Sequence, residues 1–414
     1  MFDHPGSDKT HRAANTHSPL QALSQATTER YIAVSLAGIE VNRPIPADIW
    51  NARGVLLLRK GEKLETLERQ QLLSRHQPSI READRRDWLL AGHTVHQTAW
   101  QVARQAKDEA VQSMSDDWLD LHAQLSVLLQ QNLQVRDFLP RFNALRHKAL
   151  GLMDRHPDES LFVLVQMLYD MQLAYSTSNA LATAAVCHVV GPTAGLPPEQ
   201  ESSLFNAALT MNMGMARLQN QLAVQKVEPD AHQREAIKNH PHASAHMLEQ
   251  LGVTDSLWLD LVRDHHEHSR GGGYPTGRPV QHTAQQLLQL ADRFVARISP
   301  RKTRRGQSVR AAARAQFLEM QSQSNPLGQL LVKQLGMYLP GSYVRLQNNE
   351  IAVVTRSTPA LNAPMVMAII GKDGIPLSSP SLRDTSTPAF AIQDSVPSDE
   401  VKVRLDPSRL FGRV

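Results

Sequence analysis

Residues 264–279 read DHHEHSRGGGYPTGRP, the densest run of chemically committed residues in the chain. Adjacent His265 and His266 are followed by Glu267, then by three glycines and Tyr274-Pro275. Glycine reaches backbone angles closed to other residues, so Gly271 and Gly273 allow a tight fold beside a ligand. Pro275 stiffens the exit from that turn. Upstream, NHPHASAHML places His240 before Pro241, which reads as a helix start. Downstream, LLQLADRFVARISP sets Asp292 on an otherwise apolar helix face. Three histidines and a carboxylate arriving from separate helices converge well on a metal, imidazole suiting Fe, Mn and Zn and the carboxylate adding a hard ligand. A lone histidine in a helical block is more often simply packed or exposed. The ordered set points the other way.

Around this run, residues 157–325 keep helical periodicity, broken at GPTAGLPPEQE by its prolines and glycines. Residues 87–156 are helical too, with apolar side chains at three- and four-residue spacing. They read as a connector, either a dimerisation stalk or helices packed on the main body. Residues 29–86 alternate short β-favouring runs with turn residues, a small β-containing module. Residues 326–414 return to strands: PGSYVRLQNNEIAVVTR is a hairpin around an Asn-Asn turn, and APMVMAIIGKDGIPL repeats the texture with a Lys-Asp-Gly turn. The Ser-, Pro- and Asp-rich end reads as poorly ordered until VKVRL, and residues 1–28 as a disordered tail. The fold expected is mainly α, with a small N-terminal β-containing module and a small C-terminal β subdomain.

At 414 residues the chain exceeds one ordinary core, so two or three domains are expected. Lys and Arg outnumber Asp and Glu by 44 to 40, too weak an excess to indicate a nucleic acid polymer as partner. Cys187 is the single cysteine, which excludes an internal disulfide and a cysteine-based zinc site and suits a reducing cytoplasm. The first residues lack the apolar core of a signal peptide, and apolar runs such as 161–171 are too short for a bilayer. A soluble cytoplasmic protein without a membrane partner is expected.

His-His-Glu, two residues, an acidic residue, then Gly-x-Gly-Tyr-Pro is the signature that this stretch resembles: that of the HD-GYP family. Here it runs His265, His266, Glu267, Arg270 in the acidic place, Gly271, Gly273, Tyr274 and Pro275. His240-Pro241 is similar to the family's His-Pro motif, and Ala291-Asp292 to its Ala-Asp motif. The resemblance covers roughly residues 158–330. It implies an all-helical HD-superfamily bundle which, in active members, binds two or three metal ions and hydrolyses cyclic di-GMP to pGpG or GMP.

The motif naming the family departs from its pattern. In AALTMNMGMARLQ, Met211 replaces the histidine, Asn212 the aspartate and Met215 the lysine, while Asn179 stands where an earlier ligand histidine belongs. His188 lies too far along to substitute. An aspartate bridging two metals supplies charge that neutral Asn212 lacks, and thioether is a poor replacement for imidazole on Fe, Mn or Zn. The remaining set, His240, His265, His266 and Asp292, could hold one divalent Fe, Mn or Zn ion, or form a hydrogen-bonded polar cluster. PRKTRR matches the family's phosphate-holding segment, with Arg301 and Arg304 in the arginine places and Lys302 and Arg305 beside them. These guanidinium groups, with Tyr274 stacking on a base, would grip a cyclic dinucleotide; a solvated basic helix end is the plain alternative. The resulting expectation is a catalytically degenerate signalling protein that binds cyclic di-GMP or a GGDEF-type partner. The alternatives are an active phosphodiesterase with a reduced metal site and a structural module dimerising through its helical connector.

Overall fold

The computed structural model describes residues 31–411 except 37–38, 52–54, 75, 77, 94, 97–112, 323–324 and 404. The N-terminal tail expected at 1–28 lies outside the described residues. β1 (Tyr31–Val34), β2 (Ile49–Trp50), β3 (Leu56–Leu58), β4 (Ser79–Arg81) and β5 (Val95–His96) form an antiparallel sheet in the order β3-β2-β4-β1-β5. Strands this short hold little by their ladders alone. Ile32, Ile49, Leu57, Leu58, Ile80 and Trp88 supply the buried core, with α1 (Leu67–Ser74) and α2 (Arg85–Leu90) beside them. That core extends to Ala123 and Val127 on α3 (Met114–Gln131), and Asn51 Nδ2 donates to Asp120 Oδ1 at 2.5 Å. The module is thereby seated on the helical body.

α4 (Phe138–Arg155), α5 (Pro157–Tyr169), α6 (Tyr175–Val190), α7 (Pro198–Thr210), α8 (Ala216–Val224), α9 (Ala231–Gln250), α10 (Ser256–Asp264), α11 (Thr283–Ile298), α12 (Val309–Ser322) and α13 (Leu327–Leu335) complete that body. α6 is built of small and apolar residues on nearly every face, and is the central helix, touching α3, α5, α7, α8, α11 and α13. Trp118 and Leu125 of α3 and Phe142 of α4 enter the same core, Phe142 stacking on Trp258 of α10 at 5.0 Å. The stretch read as a connector thus carries β5 early on and, beyond residue 113, packs against the main body.

β6 (Tyr343–Leu346), β7 (Ile351–Arg356), β8 (Met365–Ile370), β9 (Pro376–Asp384) and β10 (Ile392–Val396) form the second antiparallel sheet, ordered β10-β6-β7-β8-β9. Both expected turns are present, with Asn349 at φ 69° and Gly374 at φ 80°. The expectation of poor order before VKVRL is corrected, since β9 and β10 occupy that stretch and residues 401–403 are irregular. β9 is a sheet edge with most of its residues exposed or half-exposed. An edge tolerates Ser and Pro and has no apolar alternation to read. No helix among the described residues is long and apolar enough to cross a membrane.

Candidate metal centre

His240 does not open a helix, contrary to the sequence reading. α9 starts nine residues earlier, where Asp230 caps it and Gln233 closes a capping box, so Pro241 lies inside the helix. A proline there removes the N–H that would bond the carbonyl four residues back, that of Ile237. His240 Nδ1 donates to that carbonyl at 2.5 Å. The proline therefore frees the acceptor that orients its neighbour. His265 uses the same device at a helix end, where carbonyls lack partners. It follows α10, and its Nδ1 donates to Val262 O at 2.7 Å.

With both Nδ1 protons committed, each Nε2 carries a bare lone pair, and these two atoms face each other at 3.0 Å. Opposed lone pairs repel unless a cation lies between or beside them. His266 completes the group, its ring 4.1 Å from that of His265 and 5.1 Å from that of His240. One ligand atom from each of the three lies within 4.8 Å of the others, the one such group among the described residues. Burial, together with the neighbouring ring for His240, lowers the pKa to about 3 for His240 and about 4 for His265. Burial and the two neighbouring histidines also push His266 down. Neutral imidazole is the form a metal binds. Two cis ligands at about 2.1 Å from an ion are separated by roughly 3 Å, so the opposed pair fits a single divalent metal.

Glu267 is not turned to this purpose. Wholly buried, it accepts from Thr276 N at 2.6 Å, Thr276 Oγ1 at 2.7 Å and Gly277 N at 3.0 Å, clamping the loop closed. Gly271 has φ +79°, and Gly273 lies so close to His266 O and Glu267 Cα that a Cβ would overlap both. Tyr274, joined to Pro275 by a cis peptide bond, stacks on His266 at 4.4 Å. Two residues the sequence reading missed support the loop from α11: Gln285 Nε2 donates to Asp264 O at 2.6 Å and Gln289 Nε2 to Glu267 O at 2.9 Å. Their four-residue spacing on the helix that carries Asp292 was the available signal. Asp292 itself lies outside the three-histidine group; burial raises its pKa to about 6, against the opposing pull of Arg301 and Arg293.

Residues 163–324 match the sequence model of the HD domain family. Residues 163–324 thus form an HD-like domain. One curated relative, the cyclic di-GMP phosphodiesterase PA4108 of Pseudomonas aeruginosa, is 28% identical over 121 residues, 28% of this chain. That alignment spans 29% of the relative's own length. Among solved structures, Bd1817, an HDG"Y"P protein from Bdellovibrio bacteriovorus, is similar at 12% identity with a TM-score of 0.44, over 73% of this chain and 98% of that one.

On its other side the HD-like domain presents few charged ligands. Met211, Asn212 and Met213 are buried where α7 ends, and Met215 is half-buried. Gly214 next to them approaches His240 O so closely that a Cβ would sit at 3.0 Å. Asn212 Oδ1 and both polar atoms of Asn179 are buried without a hydrogen-bond partner among the described residues. His188 is remote, bonded to Asp154 at 2.9 Å. In the basic segment, Arg301 Nη2 donates to Tyr175 Oη at 2.8 Å with its guanidinium 4.8 Å over that ring, and Arg304 donates to Ala296 O. Lys302 N donates to Ala223 O at 2.8 Å, and Arg305 pairs with Asp399 at 3.0 Å. The guanidinium groups of Arg301, Arg304 and Arg305 therefore go to three different partners and do not converge on the histidines.

Proposed function

We propose that this protein binds and does not cleave: a catalytically degenerate HD-GYP protein that holds one divalent ion and acts as a cyclic di-GMP receptor. The observation that carries the reading is the asymmetry of the site. Three neutral histidines gather on one side, two of them with Nε2 lone pairs opposed at 3.0 Å. Met211, Asn212 and Asn179 stand where the resemblance puts further ligands, and none carries charge. A divalent Fe, Mn or Zn ion there would supply a positive centre for a phosphate oxygen. His240 and His265 would hold it, their rings locked by Ile237 and Val262, and His266 would be steadied by Tyr274. Without a bridging carboxylate, a second ion has no counter-charge. The relationship to a cyclic di-GMP phosphodiesterase supports cyclic di-GMP as the ligand class.

Elemental analysis of the purified chain is expected to give about one metal ion per molecule, falling to near zero for His265→Ala. Two ions per chain would reinstate the reduced-site phosphodiesterase. Titration calorimetry with cyclic di-GMP is expected to show binding that weakens about tenfold or more in an Arg301→Ala, Arg304→Ala double variant, the scale of one lost charged contact. Binding requires Arg301 to release Tyr175, so Tyr175→Phe should tighten it. Absence of heat at high micromolar ligand would leave a protein partner, a GGDEF-type domain, as the remaining binding function.

A further inference from the structure

The outer side of the signature loop carries a second feature that the histidine group does not use. A cleft of about 560 Å³ opens there, lined by Arg270, Arg293, Arg297, His268, Gln289 and Glu319. Arg270 stands at the tip of a turn closed by Gly271 N to His268 O at 3.0 Å, and Val280 N and Gln281 Nε2 hold the same loop at His268 O and Ser269 O. Its backbone is fixed, and its side chain has no hydrogen-bond or ion-pair partner among the described residues. Arg293 and Arg297 rise one turn apart from α11, both paired with Glu319 of α12, Arg297 at 3.2 Å. Arg293 Nη2 also donates to His268 Nε2 at 2.8 Å, an acceptor only if that ring is neutral. Arg297 Nη1 is buried with no partner among the described residues.

Arg293 and Arg297 thus share one carboxylate and Arg270 has none, so the charged residues lining the cleft sum to +2. Like charges this close repel, and a buried unpaired N–H on a cation is costly. The missing counter-charge equals that of one phosphate monoester dianion, and guanidinium forks match phosphate oxygens bidentately. The cleft is also larger than a bare phosphate needs and falls within the usual range of about 300–1,000 Å³ for small-molecule sites.

We infer that the Arg270–Arg293–Arg297 cleft is a binding site for a phosphate monoester dianion, distinct from the histidine group. The phosphate sits between Arg270 and the unpartnered Nη1 of Arg297, with Glu319 keeping the α11 arginines in place. The dianion arrives either as free phosphate or as the phosphate end of a small metabolite.

Calorimetric titration of the intact chain tests this, with inorganic phosphate, glycerol phosphate and dimethyl phosphate as probes. The first two are expected to bind with half-saturation near or below about 1 mM, and the tighter of them identifies the source. Dimethyl phosphate, a monoanion, should bind at least about tenfold more weakly. Arg270 is exposed and holds nothing else together, so Arg270→Ala should fold normally, retain its metal content and lose about tenfold or more in phosphate affinity. Arg270→Lys should recover part of it, and Arg314→Ala, an exposed arginine elsewhere on α12, should change nothing. Equal binding of dimethyl phosphate overturns the assignment. So does binding that survives Arg270→Ala but disappears in His265→Ala, which would place the phosphate on the histidine group. A chain that binds phosphate here while holding two metal ions would support this site and reject the degenerate reading of the other.

Discussion

Gly273→Ala is expected to unfold the signature loop and release the metal, at a cost to stability of about 3–5 kcal/mol. The reason is steric and local. A Cβ at 273 would lie 2.6 Å from Glu267 Cα and 2.8 Å from His268 N, and would overlap His266 O. All three are backbone atoms of the segment that presents His265 and His266, so no side chain can swing aside. Relief requires the loop to move, and the loop is pinned by three donors to the Glu267 carboxylate, Thr276 N, Thr276 Oγ1 and Gly277 N. Either those bonds break inside the protein, where unpaired groups are costly, or the histidines are displaced. Gly272→Ala is the matched control. That residue has φ +77° and nothing within 4 Å of the place a methyl group would take, so alanine meets only left-handed strain of about 1–2 kcal/mol. Thermal melting and metal content, measured on both variants, separate the cases. A Gly273→Ala protein with wild-type metal content and a melting temperature within about 2 °C of wild type would refute the account.

This contrast shows how far the sequence could be read. The glycines and Tyr274-Pro275 announced a tight turn, and His240, His265 and His266 announced a histidine cluster, because those residue types carry their meaning locally. The role of Pro241 was not local. Asp230 and Gln233 cap the helix, so a proline that looks like a start becomes an interior one that releases the Ile237 carbonyl. The role of Glu267 was equally opaque: it stood in the signature with no partner assigned, and only the backward turn of the chain brings Thr276 and Gly277 onto it. PRKTRR has the composition of a phosphate grip, yet Tyr175, more than a hundred residues away, takes Arg301. The helical body was legible from its period and the second sheet from its Asn-Asn turn. Edge strand β9 was not, since an exposed edge leaves no pattern.

Acidification in the presence of a chelator is expected to destabilise the protein steeply between about pH 6.5 and pH 5. His122, His240 and His265 are buried, and burial lowers their pKa values from 6.5 to about 3, about 3 and about 4. The unfolded chain takes up these protons at ordinary histidine pKa values while the folded chain refuses them, so stability is complete above about 6.5 and falls as pH drops. Asp292 works in the opposite direction. Its folded pKa is raised to about 6 from 3.8, so the native state holds an extra proton in much of the same window. With His266, which burial also pushes down, four histidines stand against one carboxylate and leave about three protons in favour of the unfolded state, a slope approaching ~4 kcal/mol per pH unit below pH 6. His240 and His265, opposed at 3.0 Å, titrate as a pair, so that share of the slope belongs to both rings together. His122 stands apart, its Nε2 within 3.3 Å of Ala174 O and 3.2 Å of Ser178 Oγ. His122→Gln keeps a donor near those oxygens and removes the titration, so its slope should be shallower by about 1.4 kcal/mol per pH unit. Adding back the metal should move the acid transition of wild type to lower pH, because ligand and proton compete for the same Nε2 lone pairs. Denaturant melts at pH 5, 6 and 7 give the slopes directly. A flat profile across that range, or a His122→Gln slope equal to wild type, would show that these histidines are already charged in the fold and that the opposed pair carries a proton in place of a metal.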